Sequence, residues 1–120
     1  MRKKVFIIAK QHFDLIWRRC FDRDFEYDGM NFISYADLQE YYIKDNIEFC
    51  KKYPFYNFEI ECVAVLDKFL ERNPDYKDTI SEFIKQGKIY IPFSGINIVD
   101  SNMVYGESIV RNFLYGYYYL

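Results

Sequence analysis

Apolar residues follow two rhythms along this chain, runs of strand length and stripes of helical spacing, and the two alternate. Val5-Phe6-Ile7-Ile8-Ala9 is a continuous apolar run rich in β-branched and aromatic side chains. Such a run predicts a strand covered on both faces, and hence a parallel sheet. Ser34, followed three residues later by Asp37, makes a capping-box variant, behind which Tyr35, Leu38, Tyr42, Phe49 and Tyr53 recur at helical spacing. Lys51 and Lys52 suit the negative end of that helix, and Pro54 stops it. Residues 56–61 predict a second strand, Phe58 and Ile60 alternating with Glu59 and Glu61, and lead directly into the helical stripe Val63, Leu66, Phe69 and Leu70.

Asn73-Pro74 predicts a fresh helix start, with Asn73 as N-cap and Pro74 at the first helical position, where its missing N–H costs nothing. Tyr76, Ile80, Phe83 and Ile84 continue the stripe as far as Gly87, the expected left-handed cap. Residues 89–93 predict a third strand, broken at Ser94-Gly95. After a polar loop carrying Asp100, Ser101 and Asn102, the residues Ile109, Val110, Phe113, Leu114 and Tyr117 open another amphipathic helix. Strand and helix thus alternate three times, which predicts an α/β fold with parallel strands and right-handed crossovers. Three βα units are too few to close a barrel. No repeat, low-complexity tract or linker divides the chain. Tyr117-Tyr118-Tyr119-Leu120 ends inside an apolar helical face, which points to residues 1–120 as the front of a longer chain. The alternative is a small domain whose terminal aromatics dock onto its own core.

Composition narrows the function classes. The chain has 120 residues, 51% of them apolar and 28% charged, with 13 Tyr, 12 Phe and 1 Trp. That is the balance of a soluble globular protein and not of a disordered segment. Sixteen basic against eighteen acidic side chains leave a net charge of -2. The balance offers no electrostatic footprint for nucleic acid or an anionic membrane. The apolar run behind the basic start Met1-Arg2-Lys3-Lys4 is too short for a signal sequence, and no stretch has the length of a membrane span. Cys20, Cys50 and Cys62 include no CxxC pair and cannot all pair with one another, so they are expected to be reduced thiols, and the location cytoplasmic.

The single histidine lies in Gln11-His12-Phe13-Asp14-Leu15-Ile16-Trp17, directly after the first predicted strand. Residues i and i+2 of an extended segment point the same way, so His12 and Asp14 can reach one ion or one polar substrate. Imidazole with carboxylate suits a borderline cation such as zinc, although an ordinary hydrogen-bonded histidine has the same appearance in sequence. The C-terminal ends of parallel strands are where α/β enzymes place their sites. One histidine and no usable cysteine pair cannot complete a tight zinc site, so further ligands must come from elsewhere. Glu59 and Glu61, at the end of the second strand, and Asp100, after the third, lie on the same predicted rim. They are candidate oxygen ligands or plain solvated carboxylates. Trp17 and Phe13 offer a flat apolar face to a sugar ring, or belong to the core.

Two blocks carry a resemblance to a known family. His12-Phe13-Asp14-Leu15-Ile16-Trp17 is similar to the His-x-Asp-x-x-Trp signature that follows the first strand in α-mannosidases of glycoside hydrolase family 38. Gly106-Glu107-Ser108-Ile109-Val110-Arg111-Asn112-Phe113-Leu114-Tyr115-Gly116 resembles the Gly-Glu-Ser-Leu-Val-Arg-Gln-x-Leu-Tyr-Gly block of the family's bacterial members. Between them, Phe58-Glu59-Ile60-Glu61 and Ile84-Lys85-Gln86-Gly87-Lys88-Ile89 fall in the right order for the family's second strand and its Val-Lys-x-Gly-Arg turn. The chain departs from the family near 94–98, where Ser94, Gly95, Ile96, Asn97 and Ile98 stand in place of the usual Gly-Gly and Trp.

The resemblance implies the N-terminal portion of a catalytic domain, the first three βα units of a seven-stranded (β/α) barrel. It implies Zn2+ held by His12 and Asp14 together with an Asp and a His beyond residue 120, Trp17 lining the floor under the sugar, and Asp100 as a further substrate contact. The implied reaction is retaining hydrolysis of α-linked mannose in glycans or oligosaccharides, by one carboxylate that attacks the anomeric carbon and a second that protonates the departing oxygen. Neither carboxylate matches a position here, so the 120-residue chain is expected to be inactive and to bind zinc weakly. Glu107 and Arg111 are expected to hold loop and helix together. The implied partners are a mannose-containing oligosaccharide and the remainder of the catalytic domain. Two other readings stand beside this one: another metal-dependent carbohydrate hydrolase such as a polysaccharide deacetylase, in which the metal would activate water, and a non-catalytic aromatic-rich interaction module in which His12 and Asp14 are structural.

Overall fold

The three predicted strand segments pair side by side, in parallel and in the order in which they occur. A computed structural model describes residues 3–5, 7, 9–10, 12, 15, 19–92, 95–100 and 102–120. In chain order the elements are β1 (Ala9–Lys10), β2 (Phe25–Tyr27), β3 (Met30–Phe32), α1 (Tyr35–Lys52), β4 (Phe58–Glu59), α2 (Val63–Arg72), a 3-10 turn (Pro74–Tyr76), α3 (Lys77–Lys85), β5 (Ile89–Tyr90) and α4 (Gly106–Tyr119). The parallel sheet has the order β1-β4-β5, and β2 and β3 form a separate antiparallel hairpin. The α/β class and the parallel pairing follow the sequence expectation. Closure into a barrel is not a feature of these three strands.

Register sorts the sheet residues onto two faces. Ala9, Phe58 and Ile89 lie level with one another, and so do Lys10, Glu59 and Tyr90. The first row faces a core in which Phe58, Ile60 and Ile89 pack with Ile43 and Ile47 of α1, Leu66 and Phe69 of α2 and Ile80 of α3. The second row faces the other way. The expected first strand is shorter than its apolar run, and Val5 and Ile7 are 83% and 88% exposed instead of covered. Among the described residues β1 pairs with β4 alone.

The helices begin where their local signals put them. Ser34 Oγ accepts from Asp37 N at 3.1 Å and itself donates to Asp37 Oδ2. The Ser34 N–H, which a capping box would give to Asp37, goes to Asp24 Oδ1 at 2.7 Å, because Asp37 also receives Arg72 Nη1 at 2.8 Å. Together the Ser34 hydroxyl and the Arg72 guanidinium hold the Asp37 carboxyl below its ordinary range. The buried face of α1 is not the aromatic stripe read from the sequence but the adjoining one, Ala36, Gln39, Ile43, Asn46, Ile47 and Cys50. The large aromatics flank it. Tyr42 meets Phe58 edge-on at 6.2 Å, and Phe49 and Tyr56 pack at 5.6 Å along the rim. Small and aliphatic side chains let the helix approach the sheet closely, and the rings fill the margins.

Asn73 stands where two helices meet, the N-cap of the 3-10 turn that leads into α3, as the pattern predicts, and also the C-cap of α2. Its backbone N–H and its Nδ2 both donate back to Phe69 O, at 2.9 and 3.1 Å, so it closes α2. Pro74 then opens a 3-10 turn ahead of α3. Gly87 has φ +69°, the expected left-handed cap. The hairpin was not anticipated, although Asp28-Gly29 between Phe25-Glu26-Tyr27 and Met30-Asn31-Phe32 is a strong hairpin signal. Asp28 and Gly29 both take positive φ, 50° and 72°. Across the ladder the Phe25 and Phe32 rings stack at 5.0 Å.

α4 is the least covered element. Val110, Phe113, Leu114, Tyr117 and Tyr118 are all exposed, and within the helix only Gly116 is buried. The chain exposes 9090 Å², against about 6,900 Å² for a compact monomer of this mass. Of the terminal tyrosines, Tyr119 makes the contact that the small-domain alternative would require: its hydroxyl donates to Asp67 Oδ1 at 2.5 Å. Burial, helped by that carboxylate, pushes the Tyr119 phenol up to about 12.

Candidate functional site

Just past the C-terminal ends of β1 and β4, the in-register pairing Lys10↔Glu59 carries on to His12 beside Glu61. His12 Nδ1 and Glu61 Oε1 lie 2.6 Å apart. Lys10 Nζ stands 2.8 Å from Glu59 Oε1 and 3.9 Å from Glu61 Oε1. Alternation explains the grouping: Phe58 and Ile60 turn into the core, so Glu59 and Glu61 must turn away from it, onto the face that Lys10 and His12 share.

These carboxylates are not solvated. The side chain of Glu61 is 6% exposed, against 62% for His12. A carboxylate withdrawn from water needs charged or hydrogen-bonding partners, and Lys10 and His12 provide them. The reciprocal effect on Lys10 is a pKa above its ordinary value, caused first by the hydrogen bond to Glu59 and reinforced by the charges of both glutamates.

Of the residues singled out in the sequence, His12 and Glu61 are brought into contact and Glu59 joins them through Lys10. Asp14 and Trp17 lie outside the described residues. Asp100 is exposed in the loop after β5, where its Oδ1 accepts from Asn102 N at 3.1 Å and its carbonyl from Met103 N at 3.0 Å. Those bonds shape a turn. Arg111 and Glu107 pair at 2.8 Å on the exposed side of α4, so they stiffen the helix and do not join it to the loop. That junction is made by Asn112, whose Nδ2 donates to Asn97 O at 2.7 Å while its Oδ1 accepts from Asn97 N at 2.9 Å. Sequence reading missed both Asn112 and Lys10. The signal for Lys10 was present, since Lys10 and His12 repeat the i, i+2 spacing of Glu59 and Glu61.

The same loop anchors the helix behind the site. Gly95 O and Ile96 O accept the first free N–H groups of α2, from Val63 at 2.9 Å and Ala64 at 2.8 Å. A Cβ on Gly95 would come within 2.6 Å of Asn112 Nδ2, so a larger residue there would have to displace the amide that bridges Asn112 to Asn97.

Among the described residues no group of three or more His, Cys, Asp and Glu side chains is arranged to hold a metal ion. Burial pushes the thiol of Cys62, next to Glu61, above its ordinary value. The donor set nevertheless suits a shared site. An imidazole whose Nδ1 is engaged by a carboxylate is the usual form of a metal-ligating histidine. A groove of about 500 Å³ lies elsewhere, among Leu66, Leu70, Lys77, Ile80 and Tyr119, and contains none of these groups.

Comparison with curated proteins and with solved structures found no match. A family model described as the glycosyl hydrolases family 38 N-terminal domain matches residues 2–120. With a match over almost its entire length, and with its only histidine paired to a buried carboxylate at the strand ends, the chain belongs to glycosyl hydrolase family 38.

Proposed function

We propose that this chain supplies the first pair of zinc ligands, His12 and Asp14, to a retaining α-mannosidase that acts on α-linked mannose in glycans or oligosaccharides. The observation that carries the reading is the 2.6 Å bond between His12 Nδ1 and the buried Glu61, at the C-terminal ends of parallel strands in a chain of a glycoside hydrolase family. β1, β4 and β5 are neighbours in chain order without reversal. That order fits a (β/α) barrel, as it fits one half of a doubly wound sheet, and with the family membership the reading takes them as the first three strands of seven. The polar row of the sheet then faces the barrel interior, and the exposed apolar side chains of α4 face the remainder of the catalytic domain.

In this reading His12 and Asp14 hold the ion, Trp17 lies under the sugar ring, and Asp100 meets a substrate hydroxyl. Zinc, when bound, would engage hydroxyls of the mannose and help to orient and distort the ring. No carboxylate of residues 1–120 takes the part of nucleophile or general acid, so the chain by itself does not turn over. A cytoplasmic location goes with the free cysteines Cys20, Cys50 and Cys62. No helix among the described residues is long and apolar enough to cross a membrane. Family membership favours this reading over a polysaccharide deacetylase.

Zinc content after equilibrium dialysis, with an assay on an aryl α-mannoside, tests the reading. Zinc bound by the chain and lost in both His12→Ala and Asp14→Asn supports it, whereas equal zinc in the variants overturns the ligand assignment. Hydrolysis of the mannoside by these 120 residues alone would show that the reacting carboxylates are among them.

A further inference from the structure

His12 and Glu61 are 49 residues apart in the chain and differ sharply in exposure, 62% against 6%. An exposed imidazole past the end of a two-residue strand has two free side-chain torsions. A bond from Nδ1 to a side chain that is itself buried removes that freedom and fixes which edge of the ring turns outward. Glu61 is well placed to act as such an anchor. Ile60 packs in the core on one side of it and Cys62 on the other. Lys10, 2.8 Å from Glu59 and 3.9 Å from Glu61, compensates the negative charge of both. The 2.6 Å separation is that of a short, charge-assisted hydrogen bond.

We propose that Glu61 is a positioning residue for His12: its Oε1 accepts the Nδ1 proton and thereby fixes the tautomer and ring orientation that present Nε2 to a metal. The proposal rests on the reading of His12 as a zinc ligand, and it gives a role to a carboxylate that the sequence alone offers equally as a direct ligand. Engaged with Nδ1 and flanked by Lys10, Glu61 acts through the imidazole and does not itself contact the ion.

The chain has a single histidine, so 15N-histidine labelling yields the spectrum of His12 alone. At pH 8 without metal, Nδ1 is expected to carry the proton in the wild-type chain, and this measurement needs no variant. Added Zn2+ is expected to shift the Nε2 resonance while Nδ1 keeps its proton. In Glu61→Ala, checked for retained fold by its far-UV circular dichroism, the Nδ1 preference is expected to vanish and zinc affinity to fall about 10- to 100-fold. An unprotonated Nδ1 in the wild-type chain overturns the tether, whatever zinc does. A protonated Nδ1 on a ring that does not respond to zinc overturns the metal reading, and the positioning role with it. Equal zinc affinity in wild type and a folded Glu61→Ala overturns positioning while leaving His12 a ligand.

Discussion

The two faces of the parallel sheet are built from alternate residues of the same short strands, yet they obey different physics. On one, Phe58, Ile60 and Ile89 are almost fully buried against helices α1 to α3. On the other, Lys10, Glu59, Glu61 and His12 form a charged row whose members pair with one another. The first face is held by apolar area withdrawn from water, about 25 cal/mol per Å². The second contributes little stability, because desolvation of its charges offsets most of their attraction. What it provides is a fixed orientation for an imidazole at the strand ends. A shift of one residue in the β1–β4 register would exchange the two faces, so the packing of Phe58 is also what aims Glu61.

The sharpest way to break this comparison is to remove a residue from the dry face. Phe58→Ala should lower unfolding stability by about 3–5 kcal/mol in a urea titration. A loss no greater than that of the polar-face variant below would mean that the sheet is not held from that side. Next comes the loop that ties α2 to α4. Gly95→Ala forces a Cβ to within 2.6 Å of Asn112 Nδ2 and should cost about 1–3 kcal/mol, with faster amide exchange at Val63 and Ala64. Lys10→Met removes the cation between Glu59 and Glu61 and should cost about 1–2 kcal/mol. Unlike Phe58→Ala, it should also alter the His12 imidazole signal.

A smaller effect is expected in acid. Because Ser34 and Arg72 hold the folded-state carboxyl of Asp37 below its ordinary value, the carboxylate binds its proton less readily folded than unfolded. Its stabilising contribution is therefore present above the ordinary aspartate range and is lost as pH falls through the lowered folded value. Asp37→Asn should flatten the acid limb of a stability-against-pH curve and leave the limb near neutrality parallel to wild type. The smallest effect belongs to Arg111→Ala. Its pair with Glu107 is exposed at both ends, and the midpoint of unfolding should move by no more than the equivalent of about 0.5 kcal/mol. A larger change would mean that α4 is covered in solution.

Signals confined to a few neighbouring residues were legible without the fold. The Ser34–Asp37 cap and the Gly87 turn stand where the chain pattern puts them. Asp28-Gly29 was equally legible as a hairpin turn and shows the same local logic. What was not legible depended on distant segments. Asn73-Pro74 starts a helical turn as its pattern indicates, but the pattern does not show that Asn73 also closes α2 by donating to Phe69 O. The stripe on α1 was misplaced by one helical face, because Tyr42, Phe49 and Tyr53 carry as much apolar surface as the aliphatics and only the fit against Phe58 decides which set goes inside.

By itself, then, the sequence determined the alternation of strands and helices, their caps, the family, and the identity of His12 as the one imidazole available for chemistry. Each of these is written in contiguous residues, through periodicity, steric preference or motif. Only the tertiary structure decided that Glu61 engages His12 Nδ1, that Lys10 neutralises the pair, that Gly95 and Ile96 complete the start of α2, and that α4 leaves its aromatic face open. Those outcomes depend on the register between strands some fifty residues apart in the chain. Register is set by how side chains of both strands pack against a third element, a condition that no local stretch of sequence contains.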